Sequence, residues 1–248
     1  MKSKRYALLS TIIIILVWWC AAIIVGKSVK IPSPIETFKA LIVIIGHEKF
    51  LMQIGYTLRR TLIGFSIAFA SGVILGVLSG LFQPVYYLLR PLVLAQRSVP
   101  TMAVILLALI WLTREIAPIL VGVIVIFPMI YSAVVDGIRQ MDQQLLEMAK
   151  VYHLSAKKKL RHLYLPSIAS SLRAVAAAAI SLNLKLSIAA EVLSQADPAI
   201  GSEMFMEKIA LNTAGVLAWA IIAIALGWLL ESAVNLKVIS WMKSWRTR

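Results

Sequence analysis

Long apolar runs are the feature that most constrains what this chain can fold into. A membrane-spanning helix needs about 20 consecutive, predominantly apolar residues. Six runs approach or meet that length, and they cover residues 7–25, 61–82, 98–112, 116–134, 167–193 and 214–235. The chain is 60% hydrophobic with a mean hydropathy of +0.88, which exceeds the apolar share of a soluble domain. We therefore predict an all-α polytopic membrane protein with six transmembrane helices.

The third run, residues 98–112, is short for a span, and whether it crosses decides the topology. If all six runs cross and the N-terminus is cytoplasmic, most basic residues face the cytoplasm, as the positive-inside rule expects. If the third run does not cross, the most basic loop and the C-terminal tail face outward instead. We therefore predict six crossings with cytoplasmic N- and C-termini. Arg59 and Arg60 fit this scheme poorly, and they leave the start of the second span open.

The net charge of +14 is interpreted as topogenic charge on a membrane protein and not as a nucleic-acid-binding surface. We divide the chain into three parts. Residues 1–55 hold the first membrane helix and an outer amphipathic segment, in which Pro34 starts a short helix. Residues 56–240 form the transmembrane core, with an amphipathic inner connection over residues 83–95 and a cytoplasmic loop over residues 135–166. Residues 241–248 form a cytoplasmic tail.

A row of small residues marks the second span. They occupy every fourth position, so they share one helix face. They are Gly64, Ala68, Gly72, Gly76 and Gly80. Small residues in such a row let a neighbouring helix approach closely inside a membrane. We interpret this ridge as a helix-packing surface and not as a substrate site.

The fifth span is the most polar one. Asn183, Ser187 and Glu191 are spaced by four and share a face, while Lys185 lies on another face. Polar groups inside a membrane are costly and usually face protein or a water-filled path. We predict that this span lines a translocation pathway or a subunit interface, and we assign these four residues to the pathway. The alternative is that Glu191 lies at the outer water boundary and that Lys185 extends its ammonium to the interface.

Residue patterns of catalysis and cofactor binding are missing from the sequence. The Gly-Lys-Ser at residues 26–28 lacks the glycine that a phosphate-binding loop needs five positions earlier. The three histidines form no metal-binding pair, and the single cysteine, Cys20, lies in the first apolar run. We expect no catalytic residue, no metal and no cofactor in this chain, and we expect that it is not an enzyme.

The loop at residues 135–166 is basic and amphipathic. The spacing predicts one short helix over residues 145–152, a break at 153–155, and a second helix over 156–164 that Ser155 caps. Pro166 then starts the fifth span, since proline is tolerated in a first turn. Charge alone leaves three roles open: binding anionic lipid headgroups, setting topology, and docking a cytoplasmic protein.

The order of residues in this loop favours docking. Glu147-Met148-Ala149, then His153 after three residues, then Leu165-Pro166, resembles the "EAA" loop of ABC importer permeases. That family has alanine where Met148 stands and glycine where His153 stands, and Leu163 replaces its isoleucine. If the turn needs a positive φ, histidine is among the better substitutes for glycine.

The resemblance extends along the chain in the family's order. It includes Pro32-Ser33-Pro34, Leu58-Arg59-Arg60 with Gly64-Phe65, and Ala190-Glu191 followed by Ile200-Gly201. These segments are similar to the permease branch that serves sulfonate, taurine and nitrate importers, with relatives that carry thiamine precursors. The resemblance implies a type I ABC importer (MetI-like) permease fold in the bacterial cytoplasmic membrane, with substrate identity open.

The resemblance also implies partners and site residues. A permease of this family is a membrane dimer, here expected to be a homodimer. It binds two cytoplasmic ATPase subunits, which hold the ATP and Mg, and an external substrate-binding protein. By that resemblance the ATPase-coupling residues are Glu147, Ala149, His153, Leu154, Leu165 and Pro166. An ion-coupled secondary transporter is the alternative, but internal repeats and paired intramembrane carboxylates, which favour that class, are not visible in the sequence.

Overall fold

A computed structural model describes the backbone of residues 2–246 and the side chains of all of these except 2–5, 7, 8, 156, 157, 160, 174 and 236–246. Within this part the chain is helical and contains no strand. The helices are α1 (Lys2–Val25), α2 (Pro34–Ile45), α3 (Phe50–Leu81), α4 (Gln83–Ser98), α5 (Thr101–Trp111), α6 (Ala117–Arg139), α7 (Gln143–Val151), α8 (Ala156–Lys159), α9 (Leu165–Ser194), α10 (Ile200–Ile209) and α11 (Thr213–Arg246). One π-helical turn, Leu160–Tyr164, joins α8 to α9.

The second span starts earlier than its apolar run. The apolar run starts at residue 61 and Arg59 and Arg60 left the start of the span open, but α3 begins at Phe50 and continues without a break to Leu81. It therefore runs through the boundary that we drew between residues 55 and 56. Arg59 is exposed and Arg60 is buried on this helix. Charged residues that lower the hydropathy of a segment do not end a helix when one of them is paired inside the protein.

The third apolar run, residues 98–112, forms the short helix α5, and the amphipathic connection predicted over residues 83–95 forms α4. The axes of the two helices are bent by 99° at the break between them. Val99 and Pro100 are extended there, with ψ angles of 128° and 129°. The cause is local, because the proline ring disfavours the α conformation of the residue before it.

The small-residue ridge of α3 packs against α6, and the pairing gives the direction of both helices. A Cβ placed on Gly64 would lie 3.1 Å from the carbonyl oxygen of Ile119, and one placed on Gly76 would lie 2.7 Å from Cβ of Val134. Gly72 faces Ile130 and Gly80 faces Ile138 in the same way, and Ala68 is fully buried. The residue numbers of the contacting pairs increase in the same direction along both helices, so α3 and α6 run parallel. The intervening α4–α5 pair must therefore return the chain from one end of the bundle to the other.

Helix α9 runs antiparallel to α6. Ser167 at its start donates a hydrogen bond to the carbonyl oxygen of Gly137, and Asn183 further along lies against Gly122. The loop at residues 140–164 and the residue Glu191 consequently lie at opposite ends of the bundle. With a rise of about 1.5 Å per residue, α9 is on the order of 45 Å long, which is the thickness of a bilayer with its headgroups.

Length and hydropathy qualify four described helices as spans. They are Phe50–Leu81, Ala117–Arg139, Val175–Ser194 and Thr213–Asn235, and the bent α4–α5 pair makes a fifth if it counts as one span. The described apolar part of the first run is Leu9–Val25, and it is shorter than a complete span. The polytopic all-α architecture is therefore confirmed, and the sixth crossing stays a prediction.

The N-terminal segments are fixed at the Glu191 end of the bundle. Trp18 Nε1 donates to the carbonyl oxygen of Pro32 at 2.9 Å, and Thr213 at the start of α11 donates to the carbonyl oxygen of Val29. The short helix expected after Pro34 is present as α2. Ser33 and Glu36 form a reciprocal capping box at its start.

Candidate functional site: the coupling loop and the polar face of α9

The loop between α6 and α9 contains a tightly specified turn. The amide of His153 donates to the carbonyl oxygen of Lys150 at 3.0 Å, and the amide of Leu154 donates to that of Ala149 at 3.0 Å. These two bonds form a Schellman motif, which ends a helix with one left-handed residue, usually glycine. His153 is that residue, with φ of 48°. The turn thus needs the positive φ for which glycine is favoured, and histidine adopts it.

The residues of α7 divide into a buried position and a free face. Ala149 is buried with no exposed surface, so it has no surface left for a partner. Glu147 and His153 are exposed, and Leu154 is half-buried. The free face is also apolar, with Leu145, Met148, Val151 and Tyr152 exposed, the last two by about three quarters.

The second half of the loop departs from the single helix predicted over residues 156–164. Helix α8 has four residues and is followed by the π turn, Leu160–Tyr164. Ser155 lies at its start and accepts a long hydrogen bond of 3.4 Å from the amide of Lys158. Leu165 and Pro166 form the first turn of α9, as expected for proline. The closing pair therefore starts the helix that leads to the polar face.

Three of the four predicted pathway residues share a buried face of α9. Asn183, Ser187 and Glu191 have no exposed surface. Asn183 Nδ2 donates to the carbonyl oxygen of Thr61 at 2.7 Å, and a Cβ on Gly122 would overlap the Asn183 side chain. These side chains face the interior of their own chain, where they connect α9 to α3 and α6.

Glu191 is the centre of a buried polar network. Its carboxylate accepts from Thr57 Oγ1 at 2.8 Å, from Arg60 Nη1 at 2.9 Å and from the amide of Gly201 at 3.3 Å. Thr57 Oγ1 in turn accepts from the amide of Ile200 at 3.0 Å. The two amides belong to the first turn of α10, where the helix dipole favours a negative charge. The network therefore joins α3, α9 and the start of α10.

Arg60 extends this network to the segment before α6. Its Nη2 donates to Glu115 Oε2 at 2.7 Å, and its Nη1 also donates to the carbonyl oxygen of Pro198 at 3.3 Å. Arg60 is 3% exposed and Glu115 is 54% exposed. One cation thus bridges a buried carboxylate and a half-exposed one.

We did not predict this network from the sequence, although Arg60, Glu191 and Gly201 all lie in the segments that carry the resemblance. The spacing of residues along α3 could have indicated it. Thr57, Arg60 and Thr61 continue the face of Gly64 and Ala68 toward the N-terminus, and all five are buried. A charged residue on the packing face of a helix predicts a buried partner.

Lys185 lies apart from the other three predicted pathway residues. It is exposed on the surface of its chain, in a cleft of about 270 Å³ between α9 and α11. Ser181, Trp228 and Glu231 also line this cleft, together with apolar residues. The structure therefore separates the predicted pathway set into a buried group that stabilises the bundle and one exposed cation within a span.

The fold is a membrane helix bundle in which α3 and α6 are parallel and α9 is antiparallel to them. An exposed loop between α6 and α9 lies at one end of this bundle. The family described as "Binding-protein-dependent transport system inner membrane component" matches residues 72–236, more than half of the chain. The chain belongs to this family.

Two relatives carry the name "Putative aliphatic sulfonates transport permease protein SsuC". The one from Bacillus subtilis (strain 168) is 28% identical, over 98% of this chain and 91% of its own. The one from Escherichia coli (strain K12) is 32% identical, over 93% of this chain and 88% of its own. A solved structure of the methionine ABC transporter MetNI in an inward-facing conformation is similar in fold, with a TM-score of 0.66 at 17% identity. That similarity covers 77% of this chain and 94% of the other.

These similarities confirm the predicted family and the MetI-like permease fold. The chain is the membrane-spanning subunit of a binding-protein-dependent ABC importer and is not an enzyme, since ATP hydrolysis belongs to a separate subunit of such importers. Its partners are an ATPase and a substrate-binding protein, and its place is the inner membrane.

Proposed function

We propose that α7 and the turn at His153 couple this permease to its ATPase. The observation that carries the proposal is the free face of α7, which combines exposed Glu147 with exposed Met148, Val151 and Tyr152 on a turn fixed by two backbone hydrogen bonds. An apolar helix face of this kind fits a groove on a partner protein. Ala149 positions the helix, and Leu165-Pro166 transmits its movement into α9.

The binding of the ATPase tests this proposal. We expect Glu147→Lys to abolish co-purification of the ATPase and ATP-driven uptake in proteoliposomes, because the reversal places an uncompensated charge in the interface. The matched control is Glu48→Lys, the same reversal at an exposed residue at the other end of the bundle. Both variants must retain the thermal stability of the wild type. Equal ATPase binding by the two variants would contradict the coupling role of α7.

We further propose that the importer works as a homodimer and that the Lys185 cleft faces the pathway between the two copies. A lysine exposed within a span is costly against lipid, so it requires water or a polar partner. The cleft between α9 and α11 also contains Ser181 and Glu231. In this proposal Asn183, Ser187 and Glu191 set the position of α9, and Lys185 faces the solute.

The proposed solute is a small anion of the sulfonate class, as the positive charge of Lys185 and the names of the two SsuC relatives suggest. Lys185→Arg is expected to retain uptake of taurine or an alkanesulfonate, and Lys185→Gln to reduce it at least about tenfold, the effect of one charge-assisted hydrogen bond. Nitrate is the inorganic comparison. Thermal shifts of the partner binding protein with each anion identify the solute independently of this residue.

The proposed orientation places both termini in the cytoplasm beside α7. Val29 and Thr213, which are hydrogen-bonded, lie at the Glu191 end of the bundle. From there α11 runs toward the α7 end, and α1 approaches from it. The basic residues of the loop 135–166 then face the cytoplasm, in agreement with the positive-inside rule.

A further inference from the structure

Three arginines converge on one cleft at the end of the bundle opposite Glu191. The cleft lies between α4 and the second half of α6 and has a volume of about 260 Å³. Its polar lining includes Tyr86, Arg90, Arg97, Ser132, Asp136 and Arg139. None of these side chains belongs to the coupling turn or to the Glu191 network.

The guanidinium groups are held in place by the protein. Arg139 Cζ lies 3.5 Å from the centre of the Tyr86 ring, and Arg90 Cζ lies 5.8 Å from it. Stacking of this kind on an aromatic ring is favourable for a guanidinium. Arg97 Nη2 donates to Ser132 Oγ and to the carbonyl oxygen of Pro128. The three cations are therefore positioned side chains and not freely mobile surface charges.

The attachment of α4 to α6 depends on Pro128. A proline within a helix has no amide to donate, so the carbonyl oxygen of Ile124, four residues earlier, loses its normal partner. Gln96 Nε2 supplies the missing hydrogen bond at 2.6 Å. Gln96 and Arg97 thus fix the C-terminal part of α4 on α6, and they fix the shape of the cleft between the two helices.

The charge of the cleft is not neutralised within the chain. Three guanidinium groups and the single carboxylate of Asp136 leave a net charge of +2. Among the residues whose side chains are described, the arginines of the cleft form no ion pair with an acidic group. A guanidinium has five N–H donors in a planar fork, and most donors of these three remain available.

We propose that this cleft binds the phosphate or sulfonate group of an anionic ligand. Guanidinium forks match the oxygens of such groups with short, charge-assisted hydrogen bonds. The volume fits a headgroup and little more. Leu94 of α4 lines the cleft and is half-exposed, so one apolar side chain lies at its edge. That edge suits the acyl chains of an anionic phospholipid, and a soluble phosphate or sulfonate carries the same headgroup chemistry.

Ligand-induced thermal stabilisation of the purified full-length chain in neutral detergent tests the inference. The probes are dihexanoyl phosphatidylglycerol, dihexanoyl phosphatidylcholine, inorganic phosphate and methanesulfonate, with chloride at equal ionic strength as the reference. The dependence of Tm on probe concentration gives Kd. Phosphatidylglycerol is expected to bind tighter than phosphatidylcholine. Tight binding of phosphate or methanesulfonate instead identifies a soluble ligand of the same site.

Variants connect the binding to the cleft. Arg97→Gln and Arg139→Gln are each expected to raise the Kd at least about tenfold, which is the effect of losing one charge-assisted hydrogen bond. Tyr86→Leu keeps every charge but removes the stacking surface, so it also weakens binding. Arg114→Gln, an exposed arginine just before α6 at its other end, is the matched control and retains wild-type affinity.

Several results would overturn the inference. They are the absence of binding beyond chloride, equal affinities of the wild type and the arginine variants, and a loss in the Arg114→Gln control as large as that in Arg139→Gln. Circular dichroism without ligand verifies that each variant is folded. If Arg139→Gln does not fold, Arg139→Lys replaces it, since lysine keeps the charge and loses the fork. Wild-type affinity in that variant would also count against the site.

Discussion

At the scale of single residues, the turn at His153 shows how one backbone angle constrains a sequence. We expect His153→Gly to retain uptake and to raise the stability of the chain by about 0.5–1 kcal/mol, because glycine adopts a positive φ without the steric cost that histidine bears. Lys150→Gly, in the regular part of α7, is the control and is expected to cost about 1 kcal/mol. Thermal unfolding in detergent and uptake by proteoliposomes measure both variants. A destabilised His153→Gly variant would contradict the strain assigned to this residue.

The network around Glu191 also makes a prediction for individual residues. Arg60→Met leaves a fully buried carboxylate without its cation, and we expect a loss of about 3–5 kcal/mol. Glu115→Gln removes a half-exposed partner and is expected to cost less than about 1 kcal/mol. The double variant Arg60→Met/Glu191→Met removes both buried charges and should recover much of the loss. The midpoint of thermal unfolding ranks the three variants, and equal losses for Arg60→Met and Glu115→Gln would argue against a central role of Glu191.

These two sites differ in how far the sequence could predict them. The turn at His153 follows from a local pattern, because helix-ending motifs involve residues close together in the chain. The network does not, because Arg60 is 131 residues from Glu191 and 55 residues from Glu115. From hydropathy alone Arg60 looked like the edge of a span. Only the packing of α3 against α9 and α10 shows that it is an interior residue with partners.

At the scale of helices, the ridge of α3 predicts where a methyl group is tolerated. A Cβ on Gly76 would lie 2.7 Å from Cβ of Val134 and 3.0 Å from the carbonyl oxygen of Tyr131. Gly76→Ala is therefore expected to cost about 1–3 kcal/mol through overpacking. Gly55→Ala on the same helix, where no neighbouring atom lies within 4 Å of the added Cβ, is expected to be neutral or to gain up to about 1 kcal/mol.

A compensating substitution distinguishes packing from any other effect at this position. Val134→Ala in the Gly76→Ala background removes Val134 Cγ1, which would lie 2.9 Å from the new methyl group, and leaves Cβ. It should therefore recover part of the lost stability. Unfolding midpoints of the four proteins form a double-mutant cycle. Additive losses would mean that the ridge does not pack at Gly76 as the structure describes.

The helices also show what periodicity can and cannot predict. The ridge on α3 and the shared polar face of α9 follow from a repeat of four and were identified from sequence, but the burial of that polar face within the chain was not. The 99° bend between α4 and α5 was not predicted, because hydropathy does not report the conformational effect of Pro100 on Val99. The bend produces an interfacial helix, α4, whose basic side chains complete a cleft with α6.

At the scale of the whole molecule, the direction of α3 and α6 decides the topology. Because these helices are parallel, α4 and α5 must connect opposite ends of the bundle, despite the short length of α5. The bundle thus has one end with the Glu191 network and one end with α7 and the arginine cleft. A helix such as α9, which reaches from the first end to the second, is suited to convey a movement of α7 over the thickness of the membrane.

Cysteine labelling in cells tests this topology. In a Cys20→Ser background we expect a membrane-impermeant maleimide to label Arg114→Cys and Glu48→Cys from outside, because both lie at the Glu191 end. Gln83→Cys, at the start of α4, and Asp142→Cys, before α7, should react only after the membrane is permeabilised. Labelling of residues 83 and 114 from the same side would mean that α4 and α5 form a re-entrant loop. That result is incompatible with parallel α3 and α6. Helix α6 would then start on the side where α3 ends, and the two helices would run antiparallel.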